Sequence, residues 1–174
     1  HERLEHMFLE GLSRGAIVVA KGPNVDTVAG NVGTEIRLDF QYKPDHLFTS
    51  TVAWGNPGAT PLSDIAAMVS KSSTDGYPIR RILLDRATMT NIANSDEAKA
   101  IYAETNNIIQ GVTFAPTDAQ LNTAVLNRWG YVFEVVERTT QYQIDGVDVA
   151  VQPWAAGQVV GINNENLGDV VWSR

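Results

Sequence analysis

The sequence predicts an α+β fold, and three observations along its 174 residues carry that prediction. Residues 34–40 alternate between apolar and charged side chains, which is typical of a strand with one face in water. Later segments mix apolar residues at helical spacing with short apolar strands, without the regular alternation of a doubly wound fold. Residues 145–146 are Asp-Gly between two apolar runs, which predicts a two-residue hairpin turn.

The first 53 residues are expected to contain one helix and several strands. The helix covers residues 1–14 and ends at Gly15, because glycine is favoured just after the last helical residue. Short apolar or alternating runs predict strands over residues 16–20, 34–40 and 46–53.

The segment from Trp54 to Ile65 reads as the end of a strand, a turn rich in glycine and proline, and the start of a helix. Thr60 is predicted as the N-cap of this helix. Pro61 suits the first helical position because its missing N–H would have no partner there. Apolar residues at helical spacing carry the helix to about Ser72.

The rest of the chain is predicted to mix short strands with three helices. Asp85 is the expected cap of the first, and the second starts at Ser95-Asp96-Glu97 and runs to about Glu104. The third covers residues 118–129 and ends at Gly130. The spacing in this third helix predicts three buried side chains, those of Leu121, Val125 and Leu126. Residues 106–116 fit either a strand or a packed loop. Strands are expected over residues 79–84, 131–138, 141–144, 147–151 and 159–162.

Composition excludes several classes of protein. The chain has no cysteine, which rules out thiol catalysis, zinc thiolate sites and disulfides. Its formal net charge of -7 argues against specific nucleic-acid binding, which depends on lysine and arginine. No apolar run approaches the roughly 18 residues that a membrane span needs. The chain begins at His1 in helix-like sequence, so we expect a piece of a longer protein or a processed product.

A search for catalytic and binding motifs finds no phosphate-binding loop, dinucleotide fingerprint or nucleophile elbow. His1 and His6 are expected at the surface of a helix end. His46 follows Asp45 and would be a general base only if both lined a closed pocket. The sequence therefore predicts no catalytic residue, no cofactor and no metal.

Three groups of residues are candidates for contacts between subunits. Apolar residues lie on one face of the first helix, the arginines are adjacent, and two tryptophans lie at element ends, where rigid aromatic rings anchor packing. Each group has a plain alternative, because an arginine pair also suits a solvated face and a tryptophan also suits a core. The candidates are Leu4, Phe8, Leu12, Trp54, Arg80, Arg81 and Trp154.

Several short motifs, in their order along the chain, resemble one known family. The first is the Trp54–Ile65 segment, and four further motifs agree with it. They are Gly15-Ala16-Ile17 after the first helix, Arg37-Leu38-Asp39-Phe40, Leu83-Leu84-Asp85 before Ala87-Thr88-Met89, and Asp145-Gly146 to Trp154 with Gln158-Val159-Val160-Gly161. Together they resemble the major capsid protein E family of tailed bacteriophages, over nearly the whole chain. The Pro153–Gly157 turn departs from the expected pattern.

The resemblance implies a Hong Kong 97-like capsid fold. Residues 1–56 would then be the end of the spine helix and the strands of the peripheral domain. Residues 57–162 would be the axial domain, with a mixed sheet flanked by helices, and residues 163–174 would return toward the peripheral domain. The Trp54–Ile65 segment would be the junction between the two domains.

The same resemblance implies a major capsid subunit of a tailed phage or prophage, which self-assembles into an icosahedral shell in the host bacterial cytoplasm. Its partners would be other copies, with decoration, portal or scaffold proteins as further candidates. The N-terminal arm and extended loop of the family are missing, so we expect this chain to be a monomer or small oligomer. The alternatives are a small soluble α+β enzyme or ligand-binding domain with an unrecognised pocket, and an interaction module that folds alone.

Overall fold

The computed structural model describes residues 2–19, 36–108, 114–144 and 147–163. Its helices are α1 (Glu2–Arg14), α2 (Pro61–Thr74), α3 (Arg86–Asn94), α4 (Asp96–Thr105) and α5 (Asp118–Trp129), with a short 3-10 turn at Pro44–His46. Its strands are β1 (Ala16–Val19), β2 (Ile36–Asp39), β3 (Arg81–Leu84), β4 (Val132–Val135), β5 (Thr140–Ile144), β6 (Val147–Val151) and β7 (Val159–Ile162).

The strands form three separate sheets within the described residues. β1 pairs with β2 in antiparallel register, and β5 pairs with β6 in the same way. The central sheet has the order β4-β3-β7, with β3 parallel to β4 and antiparallel to β7. This mixed sheet with its helices makes the fold α+β, as the sequence predicts.

The central strand β3 is buried on both faces, because different elements cover the two sides of its sheet. Ile82 and Leu84 are fully buried in the main core, which helices α2 to α5 build with the sheet. Leu83 points to the other face and joins a second cluster with Leu12 of α1 and Trp154. An uninterrupted apolar run is what such a doubly covered strand requires.

Most helix ends form as the sequence predicts, because their stabilising contacts are local. Gly15 and Gly130 follow α1 and α5 with φ of 78° and 77°, a conformation that glycine adopts without strain. The Asp85 side chain accepts a hydrogen bond from the Thr88 N–H at 3.3 Å and so caps α3. Ser95 caps α4 in the same way.

The predicted strand over residues 46–53 is wrong. His46 ends the 3-10 turn, residues 47–53 follow it without helix or strand, and Leu47, Phe48 and Val52 are exposed. A strand is stable only with a neighbour to bond, and the central sheet ends at β7 and β4 instead. The predicted strand over 131–138 is shorter than expected, since β4 covers only Val132–Val135.

The predicted burial along α5 and the predicted hairpin at residues 145–146 have different outcomes. Leu126 is 50% exposed, so its predicted burial is wrong, whereas Leu121 and Val125 are fully buried together with Ala124. Leu126 lies beyond the margin of the apolar face that α5 turns toward the core. The strands on both sides of the predicted hairpin pair as expected, while residues 145–146 themselves lie outside the described residues.

Candidate functional site

One aromatic side chain holds the segment between β2 and α2 against the start of α2. The indole N–H of Trp54 donates to the Asp64 carboxylate at 2.8 Å, across ten positions of sequence. The half-buried Trp54 ring also packs against the main core. Asp64 lies in the first turn of α2, where the helix dipole favours a negative charge. The hydrogen bond therefore closes the turn and fixes where the chain enters α2.

The start of α2 is capped from another helix. The Glu97 carboxylate of α4 accepts from the Leu62 N–H at 2.8 Å and the Ser63 N–H at 3.2 Å, and it also accepts from the Ser63 hydroxyl. Thr60 occupies the N-cap position as predicted, but its side chain makes no capping hydrogen bond. Pro61 occupies the first helical position as predicted. A carboxylate from α4 thus replaces a local cap and joins two helices.

An open groove lies between residues 42–55 and the body formed by α2 and β7. Its volume is about 860 Å³, and its apolar lining includes Phe48, Ile65 and Met68. His46 lines the groove, but Asp45 does not. The His46 ring nitrogen Nε2 lies 2.7 Å from Oδ2 of Asp75, which also pairs with Lys71. The closed pocket around His46 and Asp45 that the alternative enzyme reading requires is therefore not formed.

The ion pairs around Asp75 perturb its titration. The hydrogen bond from the Lys71 ammonium, followed by the one from His46, lowers the pKa of the Asp75 carboxyl below its usual value. Lys71 reaches both carboxylate oxygens, at 3.0 and 2.8 Å. A carboxylate held in this way stays ionised and is a structural ion-pair partner.

The apolar face of α1 is only partly available as a surface. Phe8 is 36% exposed, and its ring meets the edge of Phe40 with centroids 6.4 Å apart. Leu12 is only 7% exposed because it packs in the second cluster, so it offers little surface to a neighbouring subunit. The side chain of Leu4 lies outside the described part of the chain.

Trp154 anchors the subunit's own interior. It is 5% exposed, its indole N–H donates to the Gln158 carbonyl at 3.0 Å, and it packs with Leu12 and Leu83. The backbone N–H of the next residue, Ala155, donates to the Ser13 hydroxyl at 3.1 Å. The turn after β6 is thereby fastened to the end of α1. Of the two roles that the sequence left open, the structure places Trp154 in the core role.

The arginines near β3 differ in their partners. Arg81 pairs with Glu134 on the neighbouring strand, and Arg86 bridges Asp118 and Glu137. The hydrogen bonds that the Arg86 guanidinium donates to Glu137 and then to Asp118 raise its pKa. Arg80 is exposed and forms no ion pair with any residue that the structure describes. Its charge is therefore the one in this cluster that remains open to an outside carboxylate.

One outer edge of the central sheet is closed by a side chain that the sequence analysis missed. The Asn122 amide on α5 donates to the Phe133 carbonyl at 3.0 Å and accepts from the Phe133 N–H at 2.7 Å. It thus satisfies the β4 backbone as a neighbouring strand would. No local pattern announces this contact, because the two residues are joined only when α5 folds back on β4.

The described ranges contain neither a candidate metal site nor a candidate membrane span. Among these residues no group of three or more histidines and carboxylates is placed to hold a metal ion. None of the helices in those ranges is both long enough and apolar enough to cross a membrane.

In the described part of the chain, Asp75, Arg81 and Arg86 pair within the subunit, and Trp54 and Trp154 pack inside it. A family model described as phage major capsid protein E matches residues 1–171. The chain belongs to the phage major capsid protein E family and is a structural capsid subunit of the virion, which assembles with copies of itself. Neither a curated protein nor a solved structure matches the chain.

Proposed function

We propose that the chain is the major head subunit of a tailed phage or prophage and has the Hong Kong 97-like fold. In this proposal its copies form an icosahedral shell, which is assembled in the cytoplasm of the host bacterium. The family match over residues 1–171 is the observation that carries it. The mixed central sheet flanked by helices is compatible with the axial domain of that fold.

The division into domains follows from the same proposal. Residues 1–56 supply the end of the spine helix and peripheral strands, residues 57–162 form the axial domain, and residues 163–174 return toward the peripheral domain. Two features support this division. The β1–β2 sheet does not pair with the central sheet in the described residues, and the Trp54–Asp64 hydrogen bond lies between them.

Among the candidate contact residues, we propose that Phe8 and Arg80 meet neighbouring subunits. Phe8 offers an exposed aromatic ring, and Arg80 offers a cation without an ion-pair partner among described residues. Leu12 and Trp154 would act indirectly, by holding α1 on the sheet. Leu4 stays a candidate from the sequence. Trp54 would set the direction of the junction, and Arg81 would hold β3 to β4.

We further propose that the isolated 174-residue chain is a monomer or small oligomer at micromolar concentration. Its net charge of -7 produces repulsion between copies. Each individual contact in a large shell is weak, and closure depends on many contacts adding together. Decoration, portal or scaffold proteins are the further partners that such a shell would recruit.

The experiment that tests the proposal is expression of the complete gene with its neighbouring genes, rather than of the isolated 174-residue chain, followed by electron microscopy and mass spectrometry of the sedimenting fraction. We expect closed particles of uniform size that contain the chain. Arg80→Glu should reduce the yield of particles about tenfold. Arg128→Glu is the matched control, because it makes the same change at an exposed arginine that already pairs with Glu104 inside the subunit.

Two results would each contradict one part of the proposal, the first the capsid assignment and the second the role of Arg80. One is a well-folded protein that yields no particles with or without its neighbouring genes. The other is an equal yield from Arg80→Glu and Arg128→Glu, which would remove Arg80 from the contact surface while leaving the capsid assignment intact. Circular dichroism of each purified variant separates loss of assembly from loss of folding.

A further inference from the structure

The two-stranded sheet of β1 and β2, here called the ribbon, joins the rest of the subunit at one corner. Ala16 and Asp39 are the pair of the ribbon nearest to α1. Just beyond this pair, the Phe40 N–H donates to the Gly15 carbonyl at 2.9 Å. Within the described residues the ribbon pairs with no strand of the central sheet. The ribbon therefore depends on this corner, rather than on the central sheet, for its direction.

Gln41, at the same corner, has an unusual backbone conformation. Its φ is 52°, in the left-handed region, where residues other than glycine, asparagine and aspartate are uncommon. Gly15 is also left-handed, but glycine adopts this conformation without strain. A strained residue of this kind persists only where the surrounding structure holds it. The corner must therefore contain contacts that keep Gln41 in place.

The next residue, Tyr42, makes contacts of this kind. Its hydroxyl donates to the Leu12 carbonyl in the last turn of α1 at 2.8 Å. Its ring stacks on Phe40 with centroids 6.3 Å apart, and it lies so close to Gly15 that a β-carbon there would be 3.3 Å from the ring. Both neighbours of Gln41 are thus tied to the end of α1, Phe40 through its backbone and Tyr42 through its side chain.

We propose that Tyr42 is a latch, which keeps Gln41 left-handed and so fixes the direction of the ribbon. Glutamine ordinarily has a negative φ, and a reversal of φ at Gln41 would turn β2 relative to the chain that follows it. The hydrogen bond from Tyr42 to Leu12 opposes this reversal, because it holds the following chain against α1. Without that bond Gln41 relaxes to a negative φ, Gly15 follows because its backbone is permissive, and the ribbon takes a second direction.

The latch also bears on the surface around Phe8. The Phe8 ring meets the edge of Phe40 with centroids 6.4 Å apart, and Phe40 in turn stacks on Tyr42. In the proposed capsid subunit the ribbon belongs to the peripheral domain, and Phe8 meets a neighbouring copy. A fixed corner then makes every copy present the ribbon and Phe8 in the same arrangement. This consequence rests on the proposed function, whereas the latch itself does not.

The test measures the distance between the ribbon and the helices by double electron–electron resonance on the complete 174-residue chain. Because the chain has no cysteine, two introduced cysteines take spin labels at known positions. Arg37→Cys places one label on β2, and Ala100→Cys places the other at an exposed position of α4. Tyr42→Phe removes the hydroxyl of the latch and keeps its ring. Circular dichroism checks that each labelled variant is folded.

Two matched substitutions at Gln41 separate backbone strain from the loss of an ordinary contact. Gln41→Asn and Gln41→Thr both shorten a polar side chain, but asparagine tolerates a left-handed backbone and β-branched threonine does not. We expect one distance with Tyr42 present and a second distance in about a tenth or more of the Tyr42→Phe molecules. In the Tyr42→Phe background, Gln41→Asn should reduce the second population and Gln41→Thr should increase it.

Two results would overturn the latch. One is a single, unchanged distance in Tyr42→Phe, which would show that the hydroxyl does not fix the ribbon. The other is an equal effect of Gln41→Asn and Gln41→Thr, which would show that strain at Gln41 does not drive the change. The assay uses isolated chains, so either result leaves the capsid assignment to the separate test of particle formation.

Discussion

Replacing Gly161 with alanine tests how closely β7 packs on the main core. Gly161 lies opposite Ile82 in the central sheet, and a β-carbon there would lie 2.5 Å from Cδ1 of Ile79, 3.1 Å from its Cγ1 and 3.2 Å from its Cγ2. Ile79 is 8% exposed, and its branched β-carbon restricts rotation about χ1. Rotation of the end methyl group alone therefore does not relieve the crowding.

The expected loss combines two opposing effects. An extra methyl group forced into a packed core costs about 1–3 kcal/mol. Alanine also restricts the unfolded chain relative to glycine, which favours the folded state by about 0.4–1 kcal/mol. We therefore expect Gly161→Ala to lower the free energy of unfolding by about 1–2 kcal/mol. Urea denaturation followed by tryptophan fluorescence measures this difference.

A second substitution isolates the cause. Ile79→Val removes Cδ1, the atom nearest to the new methyl group, and alone it should cost about 0.5–1.5 kcal/mol. In the Gly161→Ala background it should cost nothing, so the two losses should not add. Gly55→Ala is the control, because its β-carbon would meet only the Asn91 side chain at 3.5 Å or more. Additive losses, or a Gly161→Ala protein as stable as the unsubstituted chain, would refute the packing argument.

Three further predictions concern polar groups, and urea denaturation measures each of them. Asp64→Ala should lower the free energy of unfolding by about 1–2 kcal/mol because it removes the acceptor of the Trp54 indole N–H. Asp64→Asn keeps an oxygen that can accept this hydrogen bond, so an equal loss in that variant would contradict the explanation. Asn122→Asp should cost about 1–3 kcal/mol because a carboxylate cannot donate to the Phe133 carbonyl, and unchanged stability would remove Asn122 from that role. Tyr131→Phe should be at least as stable as the unsubstituted chain at pH 7, because the buried Tyr131 hydroxyl has no partner in the described residues. Burial raises the pKa of Tyr131, so above about pH 10 the unfolded chain loses a proton that the folded chain keeps. The unsubstituted chain should therefore lose stability relative to Tyr131→Phe as the pH rises above that value. Parallel curves of stability against pH for the two proteins would contradict this.

The features that could be predicted from the sequence depend on residues close together in the chain. Gly15 and Gly130 end their helices, and Asp85 and Ser95 start theirs, because each acts on a backbone group within about four positions. The apolar run of β3 likewise indicates burial by itself. These signals place elements correctly without information about what packs on them.

The features that could not be predicted depend on contacts made only after folding. Glu97 reaches α2 across 35 positions, and no local pattern distinguishes it from an ordinary residue of the first turn of α4. The segment over residues 46–53 has enough apolar residues for a strand, but its structure depends on whether a partner is available. The sequence puts His46 beside Asp45, whereas its hydrogen-bond partner is Asp75, 29 positions away.

The Trp54–Ile65 segment was informative because several physical requirements meet within it. The chain must reverse direction, and Gly58 does so with a φ of 78°. Pro61 begins the helix at a position where its missing N–H costs nothing, and Asp64 serves both the helix dipole and the Trp54 indole. Each of these residues is common, but the hydrogen bond between Trp54 and Asp64 fixes the number of residues that separate them. A spacing set by geometry can be recognised in sequence even where each residue alone is ambiguous. The Trp54–Ile65 segment therefore indicates the capsid family from sequence alone.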